Sequence, residues 1–250
     1  MPERTIAVIR QGYDDSEGLD TGVSDALLRR VGDGSLPETF RISAPGRVVA
    51  FGRQDRVSPE FGHATELARR HGFAPVIRLP GGRAAVFHEQ TISFSWTMPD
   101  PDPVRGIRHR FAETGALVTA ALARIGITAS VGEIPGEYCP GEFSVNHDGS
   151  IKLAGIGQRL TKGAVHVGGV LVVGDAALIR EVLVPVYGAL DIEWDPSTVG
   201  ALDDVLSGVD VSTTADALID ALAGVATVMQ STLDAETLDL AETLAPAHTA

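Results

Sequence analysis

One cysteine, Cys139, stands in the 250-residue chain, so no intramolecular disulfide can form. Positive charge is scarce too: 20 Lys and Arg against 33 Asp and Glu leave a net charge of −13. That balance opposes the footprint which nucleic acid or an anionic membrane surface selects. Long apolar runs are missing. The longest, residues 168–173, falls far below the roughly 20 residues of a membrane span, and MPERTIAVIRQG at the N-terminus has no apolar region of the secretory kind. A reducing cytoplasm is therefore the expected location. The seven histidines lack ligand spacing, so no structural zinc is expected. What is present is enough for a sizeable core, with 44% hydrophobic and 21% charged residues. No linker-like stretch or internal repeat divides the chain, and one domain is expected.

Periodicity predicts a strand at 5–10, then a helix on which Leu19, Val23, Leu27 and Val31 recur until Gly32. Strands follow at 47–52, 75–79 and 84–88, with a helix opened by Pro59 between the first two. Ile92, Phe94 and Trp96 alternate with serines as in a half-buried strand, and a long helix runs from about Arg105 to Gly126. Asp148-Gly149 between two strand-like runs predicts a hairpin. The remainder reads as a strand at 164–173, a helix from Asp175 to Val186, and a helix capped by Thr213 and Asp216 that carries Leu218, Leu222, Val225 and Met229. Residues 236–250 are expected to fray. Strands in hairpins, with helices that do not alternate one-to-one with them, give an α+β architecture: a single domain with a mixed, largely antiparallel sheet flanked by helices.

Three segments hold more glycine and polar side chains than their strand-like neighbours need. Phe51-Gly52-Arg53-Gln54 ends an apolar strand in two long hydrogen-bonding side chains. Arg78-Leu79-Pro80-Gly81-Gly82-Arg83-Ala84 reads either as a hairpin turn with exposed arginines or as a nest of N–H groups that approaches an anion. In the third, Cys139 lies in a Gly-, Pro- and Glu-rich loop, and Lys152 lies in an apolar strand before Ala154-Gly155. A lone cysteine is often a small buried hydrophobe, and a strand lysine is often an edge residue. A functional pair is the alternative.

In their order these segments resemble the biotin and lipoate protein ligase family, from about Phe51 to Val173, roughly half the chain. The resemblance rests on Phe51-Gly52-Arg53-Gln54, on Arg78 with Pro80-Gly81-Gly82-Arg83-Ala84 and Val86-Phe87-His88, on Lys152 with Ala154-Gly155 and Gln158, and on His166 before Gly168. It implies a class II synthetase-like mixed sheet over residues 1–235 that holds an acyl group, with Gly81-Gly82 along the acyl pocket and Lys152 at the reacting carboxyl. Arg78, Arg83, Ala84, His88, Gly155, Gln158, His166 and Gly168 are carried over as substrate-binding residues. ATP-dependent ligases of the family typically read Gly-Gly-Gly where this chain has Gly81-Gly82-Arg83. A cysteine-dependent octanoyltransferase class has Gly-Gly-Arg-Ala, and a cysteine placed as Cys139 is before Lys152. The chain departs from the family at Ile77, at Val167 and in the context of Cys139.

The resemblance implies an acyltransferase with Cys139 and Lys152 as catalytic residues. An octanoyl or lipoyl group would pass from an acyl carrier protein, through a Cys139 thioester, to a lysine of a lipoyl domain or a glycine-cleavage H-type protein, with no cofactor. The alternatives are a lipoate ligase that uses ATP and Mg, and a non-catalytic protein that binds a small carboxylic acid. Nucleic acid and membrane partners are not expected. Glu137 and Glu142 would raise the Cys139 pKa, so a nearby cation is required. The basic cluster Arg105 to Arg110 is either a dock for an acidic carrier or a solvated helix face.

Overall fold

The computed structural model describes residues 4–250. The apolar run Thr5–Ile9 forms β1, and α1 (Leu19–Gly32) buries Val23, Leu27 and Val31, the stripe expected from spacing. Strands β2 (Thr39–Ser43) and β3 (Val48–Phe51) lead to a one-turn helix α2 (Arg53–Arg56) and to α3 (Phe61–Arg70), which starts two residues after Pro59. Next come β4 (Ala74–Ile77), β5 (Ala85–Phe87), β6 (Thr91–Asp100) and the long α4 (Ile107–Arg124). Strands β7 (Ser130–Val131), β8 (Val145–His147), β9 (Ile151–Thr161) and β10 (Gly163–Val172) follow. The chain ends with α5 (Ala176–Ala189), α6 (Leu202–Val205), α7 (Val211–Ala223), β11 (Thr227–Ser231) and α8 (Ala235–Leu244).

Eight strands form one mixed sheet in the order β11-β1-β2-β6-β10-β9-β8-β7. Only the β11/β1 and β1/β2 pairs are parallel; the others are antiparallel, as the hairpin pattern predicts. At the β8–β9 turn Asp148 and Gly149 have φ of 50° and 66°. Two positive values in succession suit the mirror-image turn that matches strand twist. A second sheet, β4-β3-β5, was not anticipated. Its apolar face joins α3 and α5 in a separate core built on Phe51, Phe73, Val86, Leu183 and Tyr187. The main core lies on the large sheet, where Trp96 is fully buried, meets Phe40 edge-on at 6.0 Å and donates its Nε1–H to Glu38.

The structure corrects several expectations in the C-terminal third. Helix α5 runs three residues beyond Val186 and includes Pro185. Helix α7 is capped one turn earlier than Thr213, by Asp210, whose side chain accepts the Thr213 N–H at 2.9 Å. It ends at Ala223; Met229 instead lies on β11, which pairs with β1. Gly224 stops the helix, and the spacing of Val225 and Met229 does not by itself exclude an edge strand. Nor does the tail fray. Helix α8 packs Leu238, Ala241 and Leu244 against Val23, Ala26 and Leu27, and beyond it the His248 carbonyl accepts the Ile77 N–H at 2.7 Å.

Removing residues 234–250 uncovers that face of α1. Each buried aliphatic side chain is worth about 1.5–3 kcal/mol, so the truncated protein should melt roughly 10 °C or more below the full chain by calorimetry. An unchanged melting temperature would mean the tail contributes nothing to the core.

Candidate active site

Two turns meet over the middle of β9, and tight backbone approaches define the first. Arg78 leaves β4 with its N–H on the Phe51 carbonyl at 3.0 Å. A Cβ on Gly52 would stand 1.6 Å from the Gly82 carbonyl oxygen, so no side chain fits where the two segments cross. Gly82 has φ 102°, and a Cβ there would meet Arg78 Nη2 at 2.2 Å and Cys139 Sγ at 2.8 Å. Asp55, fully buried in α2, accepts the Gly52 N–H at 2.9 Å and Arg83 Nη1 at 3.2 Å. Arg53 and Gln54 face solvent.

The second turn carries Cys139, which adopts the left-handed conformation with φ 43°, uncommon for a residue with a Cβ. Its surroundings determine that geometry. Glu137 is buried and accepts from Gly141 N, Ser144 Oγ and Lys152 Nζ on one oxygen, and from Ile134 N on the other. Lys152 Nζ donates further to the Tyr138 and Cys139 carbonyls, both at 2.9 Å. The ammonium thus holds the main chain of the cysteine turn. Buried ion pairs lose about 3–5 kcal/mol when one partner is removed, so Glu137 and Lys152 depend on each other.

Sγ of Cys139 receives Arg78 Nη2 at 3.1 Å and the Arg83 N–H at 3.2 Å. Arg78 has no ion pair with a carboxylate among the described residues, and its buried Nε has no partner. Burial pushes the thiol pKa up, but Arg78, Lys152 and the Arg83 N–H more than offset this and bring it below its ordinary value. Burial also pulls the Lys152 ammonium below its usual range, against Cys139 and Glu137. The expected opposition from acids is absent: Glu137 is matched by Lys152, and Glu142 turns outward to Arg108.

A cavity of about 500 Å³ opens at the sulfur. Arg78, Gly81, Gly82, Cys139, Lys152, Gly155 and Gln158 all line it, along with Phe111 and Phe143, stacked at 5.0 Å. Arg83 and Ala84 reach the site through the main chain, the first by its N–H on Sγ and the second by its carbonyl on the Tyr187 hydroxyl. His166 and Gly168 instead line a smaller cavity of about 70 Å³ beneath α1, which shares Arg78 and Val170 with the larger one. His88 is buried beside Thr91 and Gln90 and lines neither. The basic cluster is mostly engaged, since Arg108 meets Glu142 while Arg110 is buried on Asp100 and Gln158. Sequence reasoning did not find Asp55, Tyr187 or the Phe111–Phe143 stack. Only Asp55 had a local signal, an acid three residues after Gly52.

Among the described residues, no group of three or more His, Cys, Asp or Glu side chains is arranged to hold a metal ion. None of the helices among the described residues is long and apolar enough to cross a membrane.

Two measurements follow from these charges. Replacing Arg78 with Ala should raise the midpoint of Cys139 alkylation against pH by about 1–3 units, read with iodoacetamide and intact mass; an unmoved midpoint would remove the guanidinium as the thiolate's partner. In the smaller cavity burial lifts Asp15 to about 6 from 3.8, while burial and then Arg41 depress His166 to about 4 from 6.5. Stability from neutral His166 is present above 6.5 and lost as pH falls toward 4. Asp15 acts oppositely, gaining as pH falls from 6 toward 3.8. Each is worth about 3 kcal/mol, so the two offset. Asp15→Asn should therefore lose about 3 kcal/mol more than wild type between pH 7 and pH 4 in urea unfolding, and equal losses would show that the Asp15 carboxyl is not perturbed.

The family model for the lipoyl protein ligase A/B catalytic domain matches residues 20–223. An octanoyl-GcvH:protein N-octanoyltransferase of Geobacillus kaustophilus is 32% identical over 162 residues, 65% of this chain and 57% of that protein. The match thus spans under two thirds of the relative's length. Among solved structures, a lipoate-protein ligase A bound with ATP superposes with a TM-score of 0.76 at 17% identity, over 96% of this chain and 93% of the other. A putative lipoate protein ligase from T. acidophilum with bound lipoic acid gives 0.73 at 18% identity, over 97% and 94%. Both agree with the single-domain α+β fold expected from the strand pattern. With four-fifths of its length matched by one model, the chain belongs to the lipoyl protein ligase A/B catalytic domain family.

Proposed function

We propose that the chain is an octanoyltransferase that moves its acyl group through a thioester on Cys139, between a GcvH-type protein and a lysine of a second protein. The observation that carries this reading is Arg78: a cation with no carboxylate partner among the described residues, set 3.1 Å from Sγ. Such a contact favours the thiolate, the form that attacks carbonyl carbon. The name of the Geobacillus relative supplies the octanoyl group and GcvH.

In the first half-reaction Sγ bonds to the acyl carbonyl carbon, and the donor's sulfur or lysine nitrogen leaves with the electron pair and takes up a proton. In the second, the acceptor's neutral lysine amine attacks the thioester carbon. The C–S bond breaks, the thiolate returns and the amine gives up one proton. An acyl carrier protein and an octanoylated GcvH enter the same first step, and the relative's name favours the second. The Arg83 N–H, 3.2 Å from Sγ, is near enough to the attacked carbon to serve as a donor to an oxygen that develops charge there. The cavity offers apolar walls at Ile107, Phe111, Ile156 and Leu160. It exceeds the roughly 150 Å³ that holds a six-carbon ring. An adenylate would need Lys152 free to face phosphate; that its donors are directed to Glu137 and two carbonyls supports the thioester reading over the adenylate one.

Incubation with octanoylated GcvH or octanoyl carrier protein should add one octanoyl group to the wild type, absent from Cys139→Ser, and the adduct should vanish when the acceptor protein is added. Transfer that survives Cys139→Ser and requires ATP would replace this mechanism with adenylate chemistry.

A further inference from the structure

Tyr187 lies 48 residues beyond Cys139, on α5, outside every segment that the sequence singles out. Its ring is fully buried and packs against Trp194 at 5.3 Å. Its hydroxyl makes two hydrogen bonds. It accepts the Cys139 N–H at 3.1 Å and donates to the Ala84 carbonyl at 2.9 Å. The first bond fixes the left-handed residue that carries the sulfur. The second fixes the residue immediately after Arg83, whose N–H points at that sulfur. One hydroxyl therefore ties together the two turns between which Sγ···H–N forms.

We infer that Tyr187 is a positioning residue for the reaction proposed above: its hydroxyl holds the Cys139 sulfur in register with the Arg83 N–H and the Arg78 guanidinium. The inference rests on the Cys139 reading. The remaining polar atoms of the cysteine turn are held from other directions. Lys152 fixes the Tyr138 and Cys139 carbonyls, and Glu137 binds the Gly141 N–H. Among the described residues, Tyr187 is the side chain from outside both turns that bonds to each of them through one atom. A tyrosine fits the task because its hydroxyl donates and accepts at once, at the end of a rigid ring. With phenylalanine, the Cys139 N–H and Ala84 carbonyl would both lose their partner inside the protein, and the turns would separate to find others.

The charged and titratable groups around Sγ are Arg78 after β4, Arg83 and Asp55 at the diglycine turn, Lys152 on β9, and Glu137 and Tyr138 on the cysteine turn. Tyr187 is itself titratable, but burial and the Cys139 charge hold its hydroxyl well above its ordinary pKa, so it is neutral where the thiol titrates. Tyr187→Phe removes a hydrogen-bonding atom and no charge, and a changed thiol titration would report loss of that tie.

The test compares wild type, Tyr187→Phe and Trp194→Phe. Alkylation of Cys139 by iodoacetamide is followed against pH by intact mass, and octanoyl transfer is measured as kcat and KM. Tyr187→Phe should raise the alkylation midpoint by about half a unit or more. It should also lower kcat roughly tenfold or more with KM little changed, since small misplacements of a reacting group are costly. Trp194→Phe removes packing from the same ring without touching its hydroxyl, so it should lower melting temperature and leave the midpoint alone. A Tyr187→Phe midpoint equal to wild type overturns the inference, whatever happens to stability. If that variant does not fold, 3-fluorotyrosine at position 187 keeps the ring and weakens the hydroxyl as an acceptor; it must move the midpoint in the same direction, or the inference fails. Alkylation requires no acyl donor. Loss of the thioester mechanism would thus appear as transfer by Cys139→Ser, separately from the midpoint comparison.

Discussion

Arg78 meets the Cys139 sulfur with no carboxylate partner among the described residues, and much of the surrounding structure keeps it that way. Arg78 is half-buried, with its Nε shielded from solvent. Here the nearby acids are matched elsewhere: Asp55 to Arg83 and the Gly52 N–H, Glu137 to Lys152, Glu142 to Arg108. Each pairing removes a competitor for the cation and leaves the thiol as its neighbour. Burial alone would raise the thiol pKa, so the site depends on this selective pairing to invert the outcome.

Lys152 and Arg78 divide two tasks at the cysteine turn. The ammonium reaches the carbonyls of Tyr138 and Cys139 and so shapes the turn, and the guanidinium reaches the sulfur. The arrangement suits their chemistry. A compact ammonium can satisfy several oxygens converging from one side, while a planar guanidinium presents an edge to a single acceptor. Around them the chain accepts local strain at Cys139, a residue with a Cβ at positive φ, and hydrogen bonds from Tyr187 and Lys152 hold that turn in place.

Much of the fold was legible because its signals are local. The stripe of α1, the alternation of Ile92, Phe94 and Trp96, and the Asp148-Gly149 turn each follow from neighbours a few residues apart. The signals failed where two structures share a spacing. Val225 and Met229 fit a helix face, yet the helix stops before Gly224, Val225 falls in the turn that follows, and the open edge of β1 takes Met229 into a strand. The final residues are expected to fray as a chain terminus; they form α8, packed on the apolar face of α1, more than two hundred residues earlier in the chain.

Composition and motif order by themselves determined the class of fold and the single thiol, and pointed to seven of the residues that line the larger cavity, because these depend on residue type and sequence position. Tertiary structure alone decided which charge touches the sulfur, that Glu137 is matched by Lys152 and holds the cysteine turn, that His166 and Gly168 belong to a second cavity, and that Tyr187 joins the two turns. The reason is distance along the chain. Charges and hydroxyls act over a few ångströms, and the groups concerned come from β4, α5, β9 and the cysteine turn, which only folding brings within that range.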